Sequence, residues 1–410
     1  MGLRKRKAAE NETAADVQKK RRRSPSSRTT QLKKYKTPNE PSTFTASGTS
    51  FTMGMGEVGQ LGLGPDVMEA NRVSKINLKD PIPFKKTEEE ENCFTADKVL
   101  GIEGCVVQIA AGDSHSVALT NKGHVYIWGT FRDNSGVIGM NKDDKNDVRH
   151  QILELKIEKP SLILSDQIIV KIACGCSHLL CLSNKGDIFS LGASDCGQLG
   201  RVAEYFAQRG GRRGLSKILT PGKVSFSKKT KCVDIWAGAY ISFARTTDGA
   251  IWAWGLNNYF QLGFPDMRDR FTPEISPSFD SSIEWKQIAC AEHHIIAIDA
   301  TGKSYSMGRK EYGRLGLGEV KEDVKELALI DTLADKKVLS ISAGASVSYA
   351  VDDQGVLYGW GMGSTFQLGN GNDEKDVYTP KPITGKQLEK MSCVMASAGG
   401  QHTLVLASSK

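Results

Sequence analysis

The side chains that could do chemistry in this chain are its histidines, Asp113 and its cysteines. Four histidines recur at the same place in successive copies of a repeat: His115, His178, His294 and His402. This recurrence predicts a structural role, with the side chain bonding the backbone between strands. His293 has no histidine counterpart in the other copies, and Asp113 lies in the same polar loop of another repeat. The sequence shows no nucleophile or base that would pair with either residue, so covalent catalysis is disfavoured.

The nine cysteines are scattered and contain no Cys-x-x-Cys pair. Cys174 and Cys176 lie near His178, but their spacing is that of strand alternation rather than of a zinc site. Free thiols in a reducing compartment are therefore expected, with no metal. Gly54-x-Gly56-x-x-Gly59 matches a dinucleotide fingerprint, but it lacks the following helix and is one copy of the repeat. No cofactor is predicted.

The elements that would position these residues are six copies of a unit with two short apolar runs and a Gly-rich loop. Its second half appears as FTMGMGEVGQLG, YIWGTFRDNSGVIG, IFSLGASDCGQLG, IWAWGLNNYFQLG, SYSMGRKEYGRLG and LYGWGMGSTFQLG. The aliphatic residues before the last glycine are separated by 77, 61, 63, 53 and 53 positions. Short strands recurring at such a period predict an all-β fold, a β-propeller, with six clear units counted.

The two ends of the repeat region complement each other. The ordered part begins on a second half, Phe44–Gly62, and ends on a first half, Ala398–Ala407. We therefore predict one propeller over residues 44–407, closed by pairing of its N- and C-terminal strands. Residues 66–104 show no clear hairpin unit and fall within the longest gap, so a blade is degenerate or partly missing there.

One copy of the unit carries an insertion. In five copies the paired glycines are eight positions apart, whereas Gly129 and Gly139 are ten apart. The extra residues fall in TFRDNSGV, which is polar and turn-forming. An insertion in one blade of a regular ring is expected to project from a face, where binding residues concentrate.

The net excess of positive charge lies in the N-terminal residues. Residues 1–40 carry 13 Lys/Arg and 4 Asp/Glu, whereas the whole chain has a net charge of +7. Residues 1–43 are therefore predicted to be a disordered basic tail. Two basic clusters have the form of a bipartite nuclear-import signal, read by an import receptor: Lys5, Arg6, Lys7 and Lys19, Lys20, Arg21, Arg22, Arg23. Contact with DNA phosphates is a compatible second use, and a solvated tail without a receptor is the alternative.

A second basic segment interrupts the repeat at residues 201–217. Its cations are Arg201, Arg209, Arg212, Arg213 and Lys217. Such a loop suits an acidic partner surface or phosphates, although an ordinary solvated loop is the alternative. No run of 18 apolar residues is present, so no membrane span is expected.

These motifs resemble the regulator of chromosome condensation family. The resemblance rests on Ala-Gly-x-Ser-His-Ser, Gly-x-Val-Tyr-x-Trp-Gly and Gly-Gln-Leu-Gly, and on FRDNSGVIG, FAQRGGRRGL and GRKEYGRLGLGE. It covers about 44–66 and 104–407. It implies a monomeric seven-bladed propeller in the nucleus. One face would drive nucleotide exchange on the small GTPase Ran, and the other would dock on nucleosomes.

The resemblance also implies roles for single residues. A wedge would extend from Phe131 to Val137, with Arg132 at its tip, so that it includes Asp133 and Asn134. Asp113 and His293 match positions important for exchange. The remaining implied contacts are Glu57 and Arg201 on the GTPase-facing or loop surface, and Arg209, Arg212 and Arg213 on the histone acidic patch. Ser177 stands where the family has an acidic residue.

The sequence is compatible with two functions and disfavours a third. The first is a Ran exchange factor bound to chromatin, without covalent chemistry. The second is a propeller that binds chromatin or histones without exchange activity, since Ser177 and the irregular 66–104 segment depart from the family. The third, a hydrolase or lyase, needs a metal or carboxylate cluster at the axis, and the sequence shows none.

Overall fold

The computed structural model describes residues 35–41, 49–55, 69–75, 102–141, 153–154, 156–207, 214–226, 230–371 and 373–410. Their strands are, in chain order, β1 (Thr49–Met55), β2 (Glu69–Lys75), β3 (Val106–Ala111), β4 (His115–Thr120), β5 (Val125–Gly129), β6 (Phe131–Asp133), β7 (Gly136–Asn141), β8 (Leu153–Glu154), β9 (Ile157–Ile163), β10 (Ile169–Cys174), β11 (His178–Ser183), β12 (Ile188–Gly192), β13 (Gly222–Lys223), β14 (Cys232–Ala237), β15 (Ile241–Thr246), β16 (Ile251–Gly255), β17 (Arg270–Ile275), β18 (Trp285–Cys290), β19 (His294–Asp299), β20 (Ser304–Gly308), β21 (Val324–Leu329), β22 (Val338–Ala343), β23 (Val347–Asp352), β24 (Leu357–Gly361), β25 (Val377–Pro382), β26 (Met391–Ala398) and β27 (His402–Ser409). Two short helices, α1 (Glu204–Ala207) and α2 (Leu215–Leu219), and two 3-10 turns, Glu311–Gly313 and Asp331–Leu333, complete the described elements.

The strands form six four-stranded antiparallel sheets in the described residues, which we number as blades. Blade 1 is β3-β4-β5-β9, blade 2 is β10-β11-β12-β13, and blade 3 is β14-β15-β16-β17. Blade 4 is β18-β19-β20-β21, blade 5 is β22-β23-β24-β25, and blade 6 is β26-β27-β1-β2. Strands β6, β7 and β8 form a separate three-stranded sheet. The alternating short apolar runs of each repeat therefore become the strands of one blade.

The apolar core lies between successive blades rather than inside one of them. Ile172 of blade 2, for example, packs with Val117 and Leu119 of blade 1. Comparable clusters join blades 2 and 3, 3 and 4, 4 and 5, and 5 and 6. Both faces of a central sheet are thus buried by its neighbours. This arrangement confirms the predicted all-β propeller of repeated units.

Blade 6 is assembled from both ends of the described chain. Strand β1 pairs antiparallel with β27, from Thr49 opposite Ala407 to Gly54 opposite His402. Within residues 66–104, where no clear hairpin unit is expected, Glu69–Lys75 forms the single strand β2, which pairs with β1. The polar sequence EANRVSK lacks the apolar alternation that marks the other strands, because it is the outermost strand of its blade.

Glycine ends the third strand of the repeats for a steric reason. Gly129 has φ +101°, and a Cβ there would lie 2.3 Å from the carbonyl oxygen of Ser114. Gly255 repeats this geometry, with φ +108° and 2.2 Å to the carbonyl oxygen of Tyr240. A side chain fits neither the backbone conformation nor the space. The glycine in the recurring Trp-Gly and Leu-Gly pairs of the sequence is required by this close approach.

Two of the recurring histidines tie one blade to the next. The His178 Nε2 lies 2.9 Å from the Ser242 Oγ, and that hydroxyl donates to the Gln198 carbonyl oxygen. His294 repeats the contact with Ser348. Since each serine donates onward, the imidazole donates to the serine. The predicted structural role is correct, but the partner is a side chain on the next blade instead of backbone.

Among the described residues, blades 1 and 6 do not bury each other as other neighbouring blades do. The fourth residue of the first strand has an exposed fraction of 4% or less in blades 2 to 5. Its counterpart in blade 1, Ile109, is 76% exposed. The third residue of the second strand is fully buried in blades 1 to 5, whereas Leu404 in blade 6 is 41% exposed. We call this boundary, lined by Ile109 and Leu404, the open seam.

The open seam predicts a contrast between equivalent residues. Ile109→Ala and Leu404→Ala are expected to lower the free energy of unfolding by less than about 1 kcal/mol, because little apolar area is removed from a packed site. The matched changes Ile172→Ala and Leu180→Ala should each cost about 2–4 kcal/mol. Urea unfolding of the four variants measures the difference. Equal losses at Ile109 and Ile172 would show that the seam is closed in solution.

The cysteines depart in one place from the expectation of free thiols. Seven are free: Cys174, Cys176, Cys181, Cys196, Cys232, Cys290 and Cys393. Cys105, in contrast, is disulfide-bonded, so the expectation is wrong at that position. Nothing in its spacing to other cysteines marked it as different, since pairing depends on tertiary proximity. Among the described residues, no helix has the length and apolar character to span a bilayer.

Candidate partner-binding face

The insertion in blade 1 forms a hairpin at the end of that blade, and we call residues 130–141 the wedge hairpin. Strand β6 pairs with β7 through Arg132 opposite Val137 and Asp133 opposite Gly136. Asp133 Oδ1 accepts a hydrogen bond of 2.8 Å from the Ser135 N–H, which closes the turn. Arg132 and Asn134 are exposed. The hairpin thus presents charged and amide side chains to solvent.

The root of the wedge hairpin is apolar. Phe131 is fully buried, and its ring centroid lies 4.7 Å from that of His115. Ile138 and Met140 of β7 belong to the core between blades 1 and 2, together with Leu219 of α2. A buried root and an exposed tip make a rigid projection, because the apolar contacts fix where the hairpin leaves the blade. Phe131 therefore anchors the hairpin, and Arg132 is exposed near its tip.

Asp113 lies on the same end of the blades as the wedge hairpin. Its N–H donates to the Cys176 carbonyl oxygen at 2.9 Å, which fixes the loop against blade 2 while the residue stays exposed. Burial raises the pKa of the Tyr240 hydroxyl to about 12, with smaller contributions from neighbouring groups that include Glu292 and Asp113. Carboxylates from blades 1 and 4 therefore lie near one tyrosine of blade 3.

His293 is held among aromatic and charged neighbours on this face. Its Nε2 lies 3.4 Å from Glu292 Oε1, and its ring packs on Tyr259 with centroids 4.8 Å apart. Burial lowers the pKa of His293, and the positive charges of Arg309 and Arg314 add to the effect against the opposing charge of Glu292. The imidazole is therefore neutral at neutral pH and available as a hydrogen-bonding group.

Arg201 is committed to contacts inside the protein. Its guanidinium donates to the carbonyl oxygens of Ser190, Lys217, Ile218 and Thr220 at 2.9–3.3 Å. Burial lowers its pKa to about 10. These bonds fasten the end of α2 to the third strand of blade 2. A GTPase-facing role for Arg201 remains a prediction from the resemblance.

Several of the predicted residues lie outside the described residues. They are Glu57, the loop cations Arg209, Arg212 and Arg213, and the tail clusters Lys5, Arg6, Lys7, Lys19, Lys20, Arg21, Arg22 and Arg23. Tyr35 and Thr37, which follow the tail clusters, contact blade 3. The Tyr35 N–H donates to the Thr247 carbonyl oxygen at 2.9 Å, and its ring lies 4.7 Å from the Arg245 guanidinium carbon.

These contacts fix where residues 35–37, which follow the basic clusters, lie on the propeller. Thr247 lies in the turn between the second and third strands of blade 3, and Thr37 Oγ1 donates to the Cys232 carbonyl oxygen at the start of the first strand. Both points are at the end of the blades opposite to the wedge hairpin. The tail is therefore rooted on the face opposite to Asp113 and His293.

Sequence reasoning missed some residues that the structure places around the wedge and His293. They are Asp195, Tyr240, Glu292, Arg309 and Glu311. Tyr240 takes the place of His293 in another repeat, and Glu292 takes that of Asp113, so an alignment of all copies could have found those two. The described part of the chain contains no group of three or more His, Cys, Asp or Glu that could hold a metal ion.

Known proteins resemble this chain along almost all of its length. The family model described as RCC1-like domain matches residues 40–405. The regulator of chromosome condensation of Mus musculus is 38% identical over 421 residues, covering 94% of this chain and 97% of the mouse protein. Guanine nucleotide exchange factor SRM1 of Saccharomyces cerevisiae is 31% identical over 317 residues, covering 73% of this chain and 61% of that protein.

A solved structure supports the fold independently. The crystal structure of Prp20p from Saccharomyces cerevisiae, described with its binding properties to Gsp1p and histones, superposes with a TM-score of 0.74. It is 24% identical and covers 90% of this chain and 93% of that chain. At this identity the likeness establishes the propeller architecture.

Proposed function

The chain belongs to the RCC1-like domain family, and from this premise we propose that it is a guanine-nucleotide exchange factor for the small GTPase Ran. It binds chromatin through nucleosomes and supplies Ran-GTP for nuclear transport and mitosis. The yeast relative is named as a guanine nucleotide exchange factor, and the mouse relative as a regulator of chromosome condensation. Both names support this assignment.

The observation that carries the proposal is the wedge hairpin, with its buried Phe131 and exposed Arg132, on the same face as Asp113 and His293. A rigid projection beside an acidic surface suits insertion next to the phosphate and magnesium site of a GTPase. Carboxylates there compete for the magnesium ion and for the cationic groups that hold phosphate. Nucleotide then leaves without any bond being made or broken in it.

The thermodynamics of this activity require differential binding. An exchange factor accelerates release only if it binds the nucleotide-free GTPase more tightly than the nucleotide-bound form. The wedge hairpin and the acidic loops would meet the displaced switch region only after nucleotide has moved. Arg132 and Asn134 supply polar contacts at the tip, and His293 supplies a neutral hydrogen-bonding group at the opposite side of the axis.

Contact with DNA is assigned to the other face. Tyr35 and Thr37 root the tail there, so its two basic clusters would follow DNA phosphates while the wedge hairpin faces the GTPase. Arg209, Arg212 and Arg213 would bind the histone acidic patch. The same clusters in Lys5–Lys7 and Lys19–Arg23 would bind an import receptor and bring the protein to the nucleus.

The proposal is tested by release of fluorescent GDP from Ran. The protein is expected to accelerate release strongly, and Asp113→Ala should lose at least about tenfold of that acceleration, because a carboxylate with differential charge contacts is removed. Asp353→Ala is the matched control, since Asp353 is an exposed acid in the turn at the opposite end of blade 5. It should leave the rate unchanged.

A folded protein that does not accelerate release would overturn the exchange-factor assignment. It would leave the second function, a chromatin-binding propeller without exchange activity. Ser177 favours that alternative, since it places a hydroxyl where the family has an acid. Equal losses in Asp113→Ala and Asp353→Ala would also contradict the assignment of the wedge-bearing face.

A further inference from the structure

We propose that Ser177 and Asp195 of blade 2 are positioning residues that brace the wedge hairpin of blade 1. The role rests on the proposed exchange activity, which needs the hairpin in one orientation. Asp195 does not belong to the set that the sequence resemblance assigns to exchange, and Ser177 enters that set only as a departure from the family's acidic residue. Both lie at the end of blade 2 that faces the hairpin, Ser177 before β11 and Asp195 after β12.

The first step of the argument is that β6 is an edge strand. The order of its sheet is β6-β7-β8, so only one side of β6 is paired. Backbone donors alternate along a strand, and the N–H groups of Thr130, Arg132 and Asn134 therefore leave β6 on the unpaired side. An unpaired row of donors at a sheet edge is open to water or to a wrong partner.

Side chains of blade 2 accept hydrogen bonds from two of these donors, where another strand would otherwise pair. The Arg132 N–H donates to Ser177 Oγ at 3.2 Å, and the Asn134 N–H donates to Asp195 Oδ2 at 3.4 Å. Thr130 is held by its own blade, since its N–H donates to the Ser114 carbonyl oxygen at 2.8 Å. The three donors are thus satisfied in sequence from the root to the tip of the hairpin.

The burial of the two acceptors gives the brace a fixed origin. Ser177 is buried, and Asp195 is half-buried. A Cβ on Gly192, which lies between them in the chain, would come within 3.1 Å of the Phe131 ring, so blade 2 also contacts the root. The backbone of the hairpin is therefore tied to blade 2 along its length, while the Arg132 side chain stays free for a partner.

Burial and a neighbouring negative charge disfavour the ionised form of the Asp195 carboxylate. Burial raises the pKa of Asp195, the negative charge of Asp133 raises it further, and the bond from the Asn134 N–H opposes both effects. An amide at this position would keep an acceptor oxygen and nearly the same volume while removing the repulsion with Asp133. Asp195→Asn is therefore a variant that preserves the brace, and Asp195→Ala removes it.

The brace favours binding because it orders the wedge hairpin before the partner binds. A hairpin that is mobile in the free protein loses conformational freedom on binding, which weakens the complex and its transition state. The bonds to Ser177 and Asp195 use only the backbone N–H groups of Arg132 and Asn134. They lower that entropic cost and leave both side chains available to a partner. Ser177 and Asp195 act on the partner only through the hairpin.

The test combines hydrogen exchange with nucleotide release in the full chain. In Ser177→Ala/Asp195→Ala, the amides of residues 130–141 should exchange about tenfold faster, while amides of β11 and β15 keep wild-type rates. For fluorescent GDP release from Ran, kcat/KM should fall about five- to tenfold. Asp195→Asn should retain both wild-type protection and wild-type kcat/KM.

Two results would overturn the proposal. Unchanged protection of residues 130–141 in the double variant would show that the two acceptors do not hold the hairpin. Faster amide exchange with unchanged kcat/KM would show that the brace does not position the hairpin for exchange. If the wild-type protein does not accelerate GDP release, the proposed function fails by itself, and the protection measurement still decides whether the brace exists.

Discussion

Trp254→Ala is expected to lower the free energy of unfolding by about 4 kcal/mol. Trp254 is fully buried in the core between blades 2 and 3, and its indole Nε1 donates to the Gln198 carbonyl oxygen at 2.9 Å. Truncation removes a large apolar side chain, leaves a cavity and takes away a bond across the blade boundary. Urea-induced unfolding followed by circular dichroism measures the loss.

The repeat supplies matched controls for this change. Trp360 has the same role between blades 4 and 5 and donates to the Arg314 carbonyl oxygen, so Trp360→Ala should cost a similar amount. Trp128 occupies the same repeat position in blade 1, but it faces the open seam and is only partly buried. Trp128→Ala should cost less than half as much. Equal losses at the three positions would contradict the seam.

Acid is expected to destabilise the protein between pH 6.5 and 4. Burial lowers the pKa of His115 to about 4 and that of His178 to about 3, against a usual value of 6.5. Each histidine is therefore neutral in the folded protein, whereas the unfolded chain takes up a proton below pH 6.5. The stability is fully present above that pH and is lost as the pH falls toward the folded values.

The size of the acid effect follows from proton linkage. At pH 5, His115 alone removes about 2 kcal/mol of stability, because the unfolded chain is protonated over 1.5 units in which the folded protein is not. Unfolding free energies at pH 7.5, 6 and 5 measure this. In His115→Leu, the slope between pH 6 and 5 should fall by about 1.4 kcal/mol per unit. An unchanged slope would mean that His115 is charged or exposed.

The propeller could be predicted from sequence because each structural demand is repeated. Gly129 and Gly255 end their strands against the same carbonyl approach, and Trp254 and Trp360 fill the same place between blades. A demand met five or six times produces a period that is visible without a structure. The insertion in blade 1 was visible for the same reason, as a departure from the period.

Contacts between blades could not be predicted in the same way. The partner of His178 is Ser242, which is 64 residues away, and the partner of the Asn134 N–H is Asp195, which is 61 residues away. Which side chains meet across a blade boundary depends on the register of two sheets. Arg201 shows the difficulty clearly, since a cation that suits an acidic partner is bonded to carbonyl oxygens of its own chain.

The open seam changes how the described blades are coupled to one another. In a closed ring every unit couples to two nearest neighbours, whereas in the described residues blades 1 and 6 are the termini of a linear array with one such coupling each. In nearest-neighbour models, terminal units have the highest statistical weight for local opening. The wedge hairpin belongs to a terminal unit, and its bonds to blade 2 couple it to the interior of the array. The hairpin can therefore keep its order through fraying events that begin at the Ile109 side of blade 1.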